Sequence, residues 1–306
     1  MIDSKTSRVF RGLAILMVIG SHFAAAMYTD AVRPFAKEFV SSLGVYGVDI
    51  FFMLSGYGLV KSASKGVTKR FVLKRFINTY LPYLIIVGFF AIIEKSITST
   101  KELINLLTGY DYWFMCVLFA FYIIFMIIYK IGKFKEILIT IAVIAFSVGL
   151  SNWGRADFWY VSNSAFLIGI YGASLELKFG DKVESFIKKS NMLAISSMLA
   201  IVAWFIYSGN GEIWAHILFS TLFTVAVFML CVEIYGGGLI LSAIGRYTLY
   251  IYLLHQRIYW KVIMINPERD YLLNASFSAL AVIVISVAIG FAIEWNMNAL
   301  FKKLVK

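Results

Sequence analysis

Apolar runs close to the length that crosses a bilayer return along this chain at nearly regular intervals, and that recurrence limits the folds open to it. A helix rises about 1.5 Å per residue, so about 20 apolar residues span the hydrocarbon core of a membrane. Ten runs approach that length, at about residues 9–28, 43–61, 77–95, 112–129, 137–151, 158–175, 192–208, 213–235, 239–260 and 272–296. No polar stretch between them exceeds about 16 residues, so no separate soluble domain is expected. Only 15% of the 306 residues are charged, against about 25% in soluble domains, and 61% are hydrophobic. A soluble fold of this size could not bury that much apolar surface. The expected fold is an all-α integral membrane bundle of about ten transmembrane helices, one domain over residues 1–306.

Lysine and arginine set the expected orientation, because they gather in cytosolic loops. In a ten-span arrangement, twenty of the 28 fall on the side of the two termini. The other eight are Arg33, Lys37, Lys95, Lys101, Arg155, Arg257, Lys261 and Arg269. Both termini are therefore expected in the cytosol. The formal net charge of +11 then has a topological origin and does not point to nucleic acid. The first run has a basic start and small residues at Gly20-Ser21 and Ala24-Ala25-Ala26, which makes a cleavage site arguable. Retention is expected, since the later spans supply their own topology. Cys116 and Cys231 sit in apolar runs and read as core residues. His22, His216 and His255 show no metal-ligand spacing, so no metal site is expected.

An ionisable residue deep in an apolar helix is costly and is a functional candidate by default. Arg11 and His22 are eleven residues apart, about three turns, so they share one face roughly 16 Å apart along the axis. His22 suits a general base acting on a hydroxyl, against the plainer reading of a histidine bonded inside a bundle. Arg11 suits a phosphate or carboxylate clamp, against a snorkelling cation at the interface. Asp49 needs a partner: it orients a histidine, pairs with an arginine, or forms a structural ion pair. Gly44, Gly47, Gly56 and Gly58 around it allow close helix approach. The basic segment with Lys69, Arg70, Lys74 and Arg75 is either a topogenic loop or a docking surface for a polyphosphate. Tyr112, Trp113 and His255 are candidates for substrate binding; their plainer readings are an interfacial belt and an interior histidine. His216 is given no role. Glu294 is expected to pair with a nearby basic residue.

Five blocks now line up in order. Arg11 and His22 are separated by ten residues. Gly47-Val-Asp-Ile-Phe-Phe-Met-Leu-Ser-Gly-Tyr57 follows. Leu73-Lys-Arg-Phe76 precedes Tyr80-Leu-Pro-Tyr83. Tyr112-Trp-Phe114 comes next, with Tyr122. Last is Ile244-Gly-Arg-Tyr-Thr-Leu-Tyr-Ile-Tyr-Leu-Leu-His-Gln256. Together they resemble the acyltransferase-3 family of integral membrane acyltransferases. The resemblance implies transfer of an acyl group, usually acetyl, from cytosolic acyl-CoA to a hydroxyl of a carbohydrate or similar acceptor. It implies that Arg11 and His22 are essential. The donor co-substrate is then acyl-CoA (acetyl-CoA), docked by Arg11, Lys69, Arg70, Lys74 and Arg75, with His22, Arg11 and Asp49 as the catalytic set. The implied setting is the plasma (cytoplasmic) membrane of a bacterium, with lipid and an envelope carbohydrate as partners. The family often has two arginines three apart in the cytosolic loop, whereas here Lys74 and Arg75 are followed by Asn78. Larger members append an extracytoplasmic hydrolase-like domain. None is expected here, so a hand-off would need separate glycan-assembly proteins. Saccharide contacts are expected from Tyr28, Trp153, Trp159 and Tyr160. The rival reading is a transporter or flippase for a glycan or acyl precursor; the absence of an inverted repeat and of paired broken helices argues against it.

Overall fold

The computed structural model describes the backbone of residues 1–26, 34–234, 238–265 and 271–304, with side chains at 1–23, 40–209, 211–234, 238–262 and 277–297. Tyr28, Arg33 and Arg269 lie outside the described residues. The described residues form helices joined by turns, with no strand among them. In chain order they are α1 (Ser4–Ala26), α2 (Pro34–Ala63), α3 (Lys69–Arg75), α4 (Leu81–Ile93), α5 (Thr100–Thr108), α6 (Trp113–Ile128) and α7 (Lys135–Asn152). Then follow α8 (Asn163–Phe179), α9 (Asp181–Lys189), α10 (Met192–Asn210), α11 (Ile213–Glu233), α12 (Leu239–Arg246), α13 (Thr248–Ile265) and α14 (Tyr271–Leu304).

Seven described helical stretches are long and apolar enough to cross a membrane: Val40–Ala63, Lys69–Ile93, Trp113–Ile131, Lys135–Asn152, Met192–Gly209, Ile213–Glu233 and Phe277–Met297. The other three expected runs are helical but fall outside this set. Helix α1 opens with Lys5, Arg8 and Arg11, and α8 has only 17 residues. The run at 239–260 is broken at Tyr247 into α12 and α13, and α13 carries His255, Gln256, Arg257 and Lys261.

Three segments expected as polar connectors hold short helices, α3, α5 and α9. Their local chemistry explains why. Helix α5 starts at a capping box: the Ser99 hydroxyl accepts from the Glu102 amide at 3.3 Å, and the Glu102 carboxylate accepts from the Ser99 amide at 2.8 Å. It ends at Gly109 in the left-handed region, φ 77°. The Tyr80 and Tyr83 hydroxyls donate to its last carbonyls, Leu107 at 2.9 Å and Leu106 at 2.7 Å, which fastens it to α4.

Lipid supplies no hydrophobic drive between helices, so close backbone approach at small residues holds such bundles together. A Cβ on Gly47 would lie 2.6 Å from the Ala14 carbonyl oxygen, and one on Gly44 2.2 Å from the Ser21 hydroxyl; both seal α2 to α1. Gly56 and Gly169 bring α2 against α8, where added Cβ atoms would meet the Phe166 and Met53 carbonyls at 2.2 Å and 1.9 Å. Gly12 and Gly245 do the same for α1 and α12, at 2.2 Å from the Leu241 carbonyl and 1.7 Å from that of Arg8. Gly58 faces nothing within 4 Å, so the expected approach fails at that one position. At one end of the bundle the Met1 ammonium pairs with Glu176 at 2.9 Å and Glu184 at 3.1 Å, and Lys61 joins Glu176 at 3.0 Å. These contacts tie α1, α2, α8 and α9 at that end.

Candidate active site

Helix α1 lies against α2, α12 and α13, and its polar stripe opens into two cavities. The first, about 430 Å³, is lined by Arg11 of α1, Ser55 of α2, Arg75 of α3, Tyr122 of α6, Arg246 at the end of α12, Tyr252 of α13 and Glu294 of α14. The second, about 320 Å³, is lined by His22 of α1, Asp111, Tyr112 and Trp113 at the start of α6, and Tyr252, His255, Gln256, Arg257 and Trp260 of α13. Tyr252 lines both.

The first cavity is cationic. Among the described residues it holds three guanidiniums, Arg11, Arg75 and Arg246, against one carboxylate, Glu294. Glu294 is already committed to Arg246, whose Nη2 and Nε donate to it at 3.0 Å and 3.2 Å, as the sequence led one to expect of this glutamate. Among the described residues neither Arg11 nor Arg75 has a carboxylate partner. Nη2 of Arg75 donates to the Ser62 hydroxyl at 2.6 Å and the Gly58 carbonyl at 3.2 Å, which fixes its plane. A π-helical turn, Phe76–Tyr80, follows and carries Asn78 and Thr79 into the cavity wall. Its cause is Pro82, which has no amide hydrogen to give to the carbonyl four residues back and would clash with it in a regular helix. Single π turns of this kind recur at functional sites.

The second cavity is aromatic and hydrogen-bonding. Tyr252, His255 and Gln256 stand three and four residues apart, so one face of α13 presents all three. The His22 and His255 rings lie 5.0 Å apart, centroid to centroid. Arg257 is held by an ion pair to Glu94. Trp113 stacks obliquely on Phe158, 5.2 Å away.

Several expected site residues stand elsewhere. Lys69, Arg70 and Lys74 are exposed and line neither cavity; of the basic segment only Arg75 turns inward. Asp49 is fully buried and meets neither a histidine nor an arginine; its Oδ1 accepts from the Ser220 hydroxyl of α11 at 2.8 Å. The reason is helical phase. Asp49 is two residues past Gly47, about 200° around α2, and Gly47 is the face pressed on α1. The carboxylate therefore points away from His22. Trp153, Trp159 and Tyr160 line neither cavity: Trp153 is 75% exposed, and Trp159 packs beside Tyr110 at 5.5 Å. His216 pairs with Asp157 at 3.5 Å and stacks on Tyr207.

A family model described as an acyltransferase domain, that of acyltransferase-3, matches residues 7–295, nearly the whole chain. The chain belongs to the acyltransferase-3 family. No curated protein and no solved structure matches it. It is thus a multi-pass membrane acyltransferase. Among the described residues, no group of three or more His, Cys, Asp or Glu is placed to hold a metal. Arg246 and Tyr252 were not singled out from sequence. Tyr252 carried a usable signal, since it precedes His255 by three residues on one helix. Arg246 carried only its place in the last of the five blocks, because a basic residue at a helix end is otherwise ordinary topogenic charge.

Proposed function

We propose that this acyltransferase moves acetyl from acetyl-CoA to a hydroxyl of an envelope or exported carbohydrate, as a single transmembrane domain of ten spans in a bacterial plasma membrane. In this reading α1, α8 and α13 complete the span set, both termini are cytosolic, and Arg11 faces the cytosol. The observation that carries the proposal is the shared wall at Tyr252. It joins a cationic cavity at the Arg11 end of α1 to an aromatic, histidine-bearing cavity at the other.

Arg11, Arg75 and Arg246 suit the phosphates of the donor nucleotide, because guanidinium forks match phosphate oxygens in pairs. Arg246 supplies a third cation in a wall where Asn78 stands in place of the family's second loop arginine. The donor's thin arm needs to reach roughly 16 Å inward, from the level of Arg11 to that of His22. Tyr112, Trp113 and Trp260 give a sugar ring apolar faces, while Asp111, Gln256 and Arg257 offer hydroxyl partners. His22 takes the hydroxyl proton as the oxygen attacks the thioester carbon. The carbon–sulfur bond breaks, the ester carbon–oxygen bond forms, and the imidazolium returns its proton to the departing thiolate. Asp49 acts in this reading through the packing of α2 on α11, away from the reacting atoms.

The test is purified protein with acetyl-labelled acetyl-CoA and an envelope glycan fraction. Label appearing on the glycan with release of free CoA supports the proposal. Glycan moved across a vesicle membrane unmodified would replace it with a carrier. His22→Ala at wild-type activity and equal expression would remove the base.

A further inference from the structure

The imidazole of His255 is 3% exposed, and its two nitrogens are in unlike surroundings. Nδ1 lies 2.5 Å from the carbonyl oxygen of Tyr252, one turn back on α13. A carbonyl only accepts, so Nδ1 carries the proton. In the neutral ring Nε2 is then a bare acceptor, and it is buried without a partner. Folded proteins pair the large majority of such atoms, and an orphaned acceptor beside a candidate base is placed to receive a donor in a working state of the site. Because Nε2 is enclosed, a substrate hydroxyl in the cavity does not reach it directly. The His22 ring does lie beside it, 5.0 Å away with the planes at 38°. Rotation about the His22 side-chain bonds brings one of its nitrogens within hydrogen-bonding reach.

We propose that His255 is the positioning residue for His22. Its Nε2 accepts the N–H of neutral His22, which leaves the other His22 nitrogen bare and presented to the acceptor hydroxyl. When that nitrogen takes the hydroxyl proton, the imidazolium keeps its first N–H on His255 and holds the new proton ready for the thiolate. No proton passes to His255, so the step balances as before. The Tyr252 carbonyl is the anchor that fixes the tautomer of both rings. This inference rests on the reading of His22 as the base.

The experiment compares His22→Ala, His255→Gln, His255→Asn and His255→Phe as purified proteins. Rates are measured against acetyl-CoA and against the envelope glycan fraction, with melting temperatures as a folding control. The glutamine amide oxygen reaches the Nε2 position, whereas asparagine reaches only Nδ1. His255→Phe and His255→Asn are expected to lose about 100-fold or more in kcat, with both KM values within about threefold, and His255→Gln to recover at least about tenfold of that loss. Unchanged kcat in His255→Phe with His22→Ala inactive overturns the positioning role and spares the base. Activity in His22→Ala overturns the base itself. A raised glycan KM at constant kcat places His255 on the acceptor and overturns the proposal. If His255→Phe does not fold, the glutamine and asparagine variants decide: glutamine above asparagine supports the role, and equality or the reverse order refutes it.

Discussion

The basic segment between α2 and α4 offers the sharpest division between a structural and a functional charge. Arg75 lines the cationic cavity, with Nη2 anchored on Ser62 and Gly58. Lys69, Arg70 and Lys74 are exposed and line neither cavity. A hydrogen bond to a charged group contributes about 1.5–3 kcal/mol, so Arg75→Gln should raise the KM for acetyl-CoA about 10- to 100-fold. An exposed charge contributes about 0–1 kcal/mol, so each of the single variants Lys69→Gln, Arg70→Gln and Lys74→Gln should raise KM less than about fivefold. Raising the salt should erase that small effect first, because the Debye length falls from about 8 Å at 0.15 M to about 3 Å at 1 M. Arg246→Gln should fall between the two, since its side chain is 55% exposed and already shared with Glu294. The assay is initial rate against acetyl-CoA concentration in proteoliposomes, at low and high salt. Any of the three single variants as damaging as Arg75→Gln, or no change in KM for Arg75→Gln, would refute the division.

Removing the one carboxylate found among the described residues of that cavity wall has the opposite sign: Glu294→Gln releases Arg246 and should lower the KM for acetyl-CoA, read in the same assay. Gly245→Ala forces a Cβ to within 1.7 Å of the Arg8 carbonyl and should cost about 1–3 kcal/mol or more as α1 and α12 part. Gly58→Ala meets open space in a helix interior and should be neutral or stabilising by up to about 1 kcal/mol. Thermal unfolding in detergent compares the two. Ser220→Ala removes one of the two serine hydroxyls bonded to Asp49, leaving Ser162, and should destabilise by about 1–3 kcal/mol while activity per folded molecule stays at wild type; a selective loss of kcat would return Asp49 to the catalytic set. Outside the membrane-spanning helices, the hydrogen bond from Lys188 and the contact with the Met1 ammonium hold the Glu184 carboxyl below its usual 4.5. Its contribution is therefore present above about pH 4.5 and lost as pH falls through the lower folded value. Hydrogen exchange in α9 should rise in acid in the wild type and respond less in Glu184→Gln.

Much of this molecule follows from one-dimensional pattern. The apolar runs become helices because in lipid every backbone group must be bonded within its own segment. Arg11 and His22 fall on one stripe because both lie on a single uninterrupted helix, where spacing alone sets direction. Short helices were harder to see: α5 exists through a capping box and a glycine stop within a polar stretch. The site itself could not be read along the chain. Whether Asp49 meets His22 or Ser220 depends on which face of α2 the glycines press against α1. Lys74 and Arg75 are neighbours in sequence and look alike, yet about 100° of helix rotation sends one to solvent and the other into the cavity. Arg246, Tyr252 and Glu294 join Arg11 only because Gly12 and Gly245 let α1 and α12 touch at the backbone, and the fold carries α13 and α14 on from there. Sequence determined which segments are helical and which single stripe bears the costly groups. Tertiary packing decided which residues from seven helices share a cavity, because direct contact across helices depends on phase and crossing point, and neither is written in any one segment.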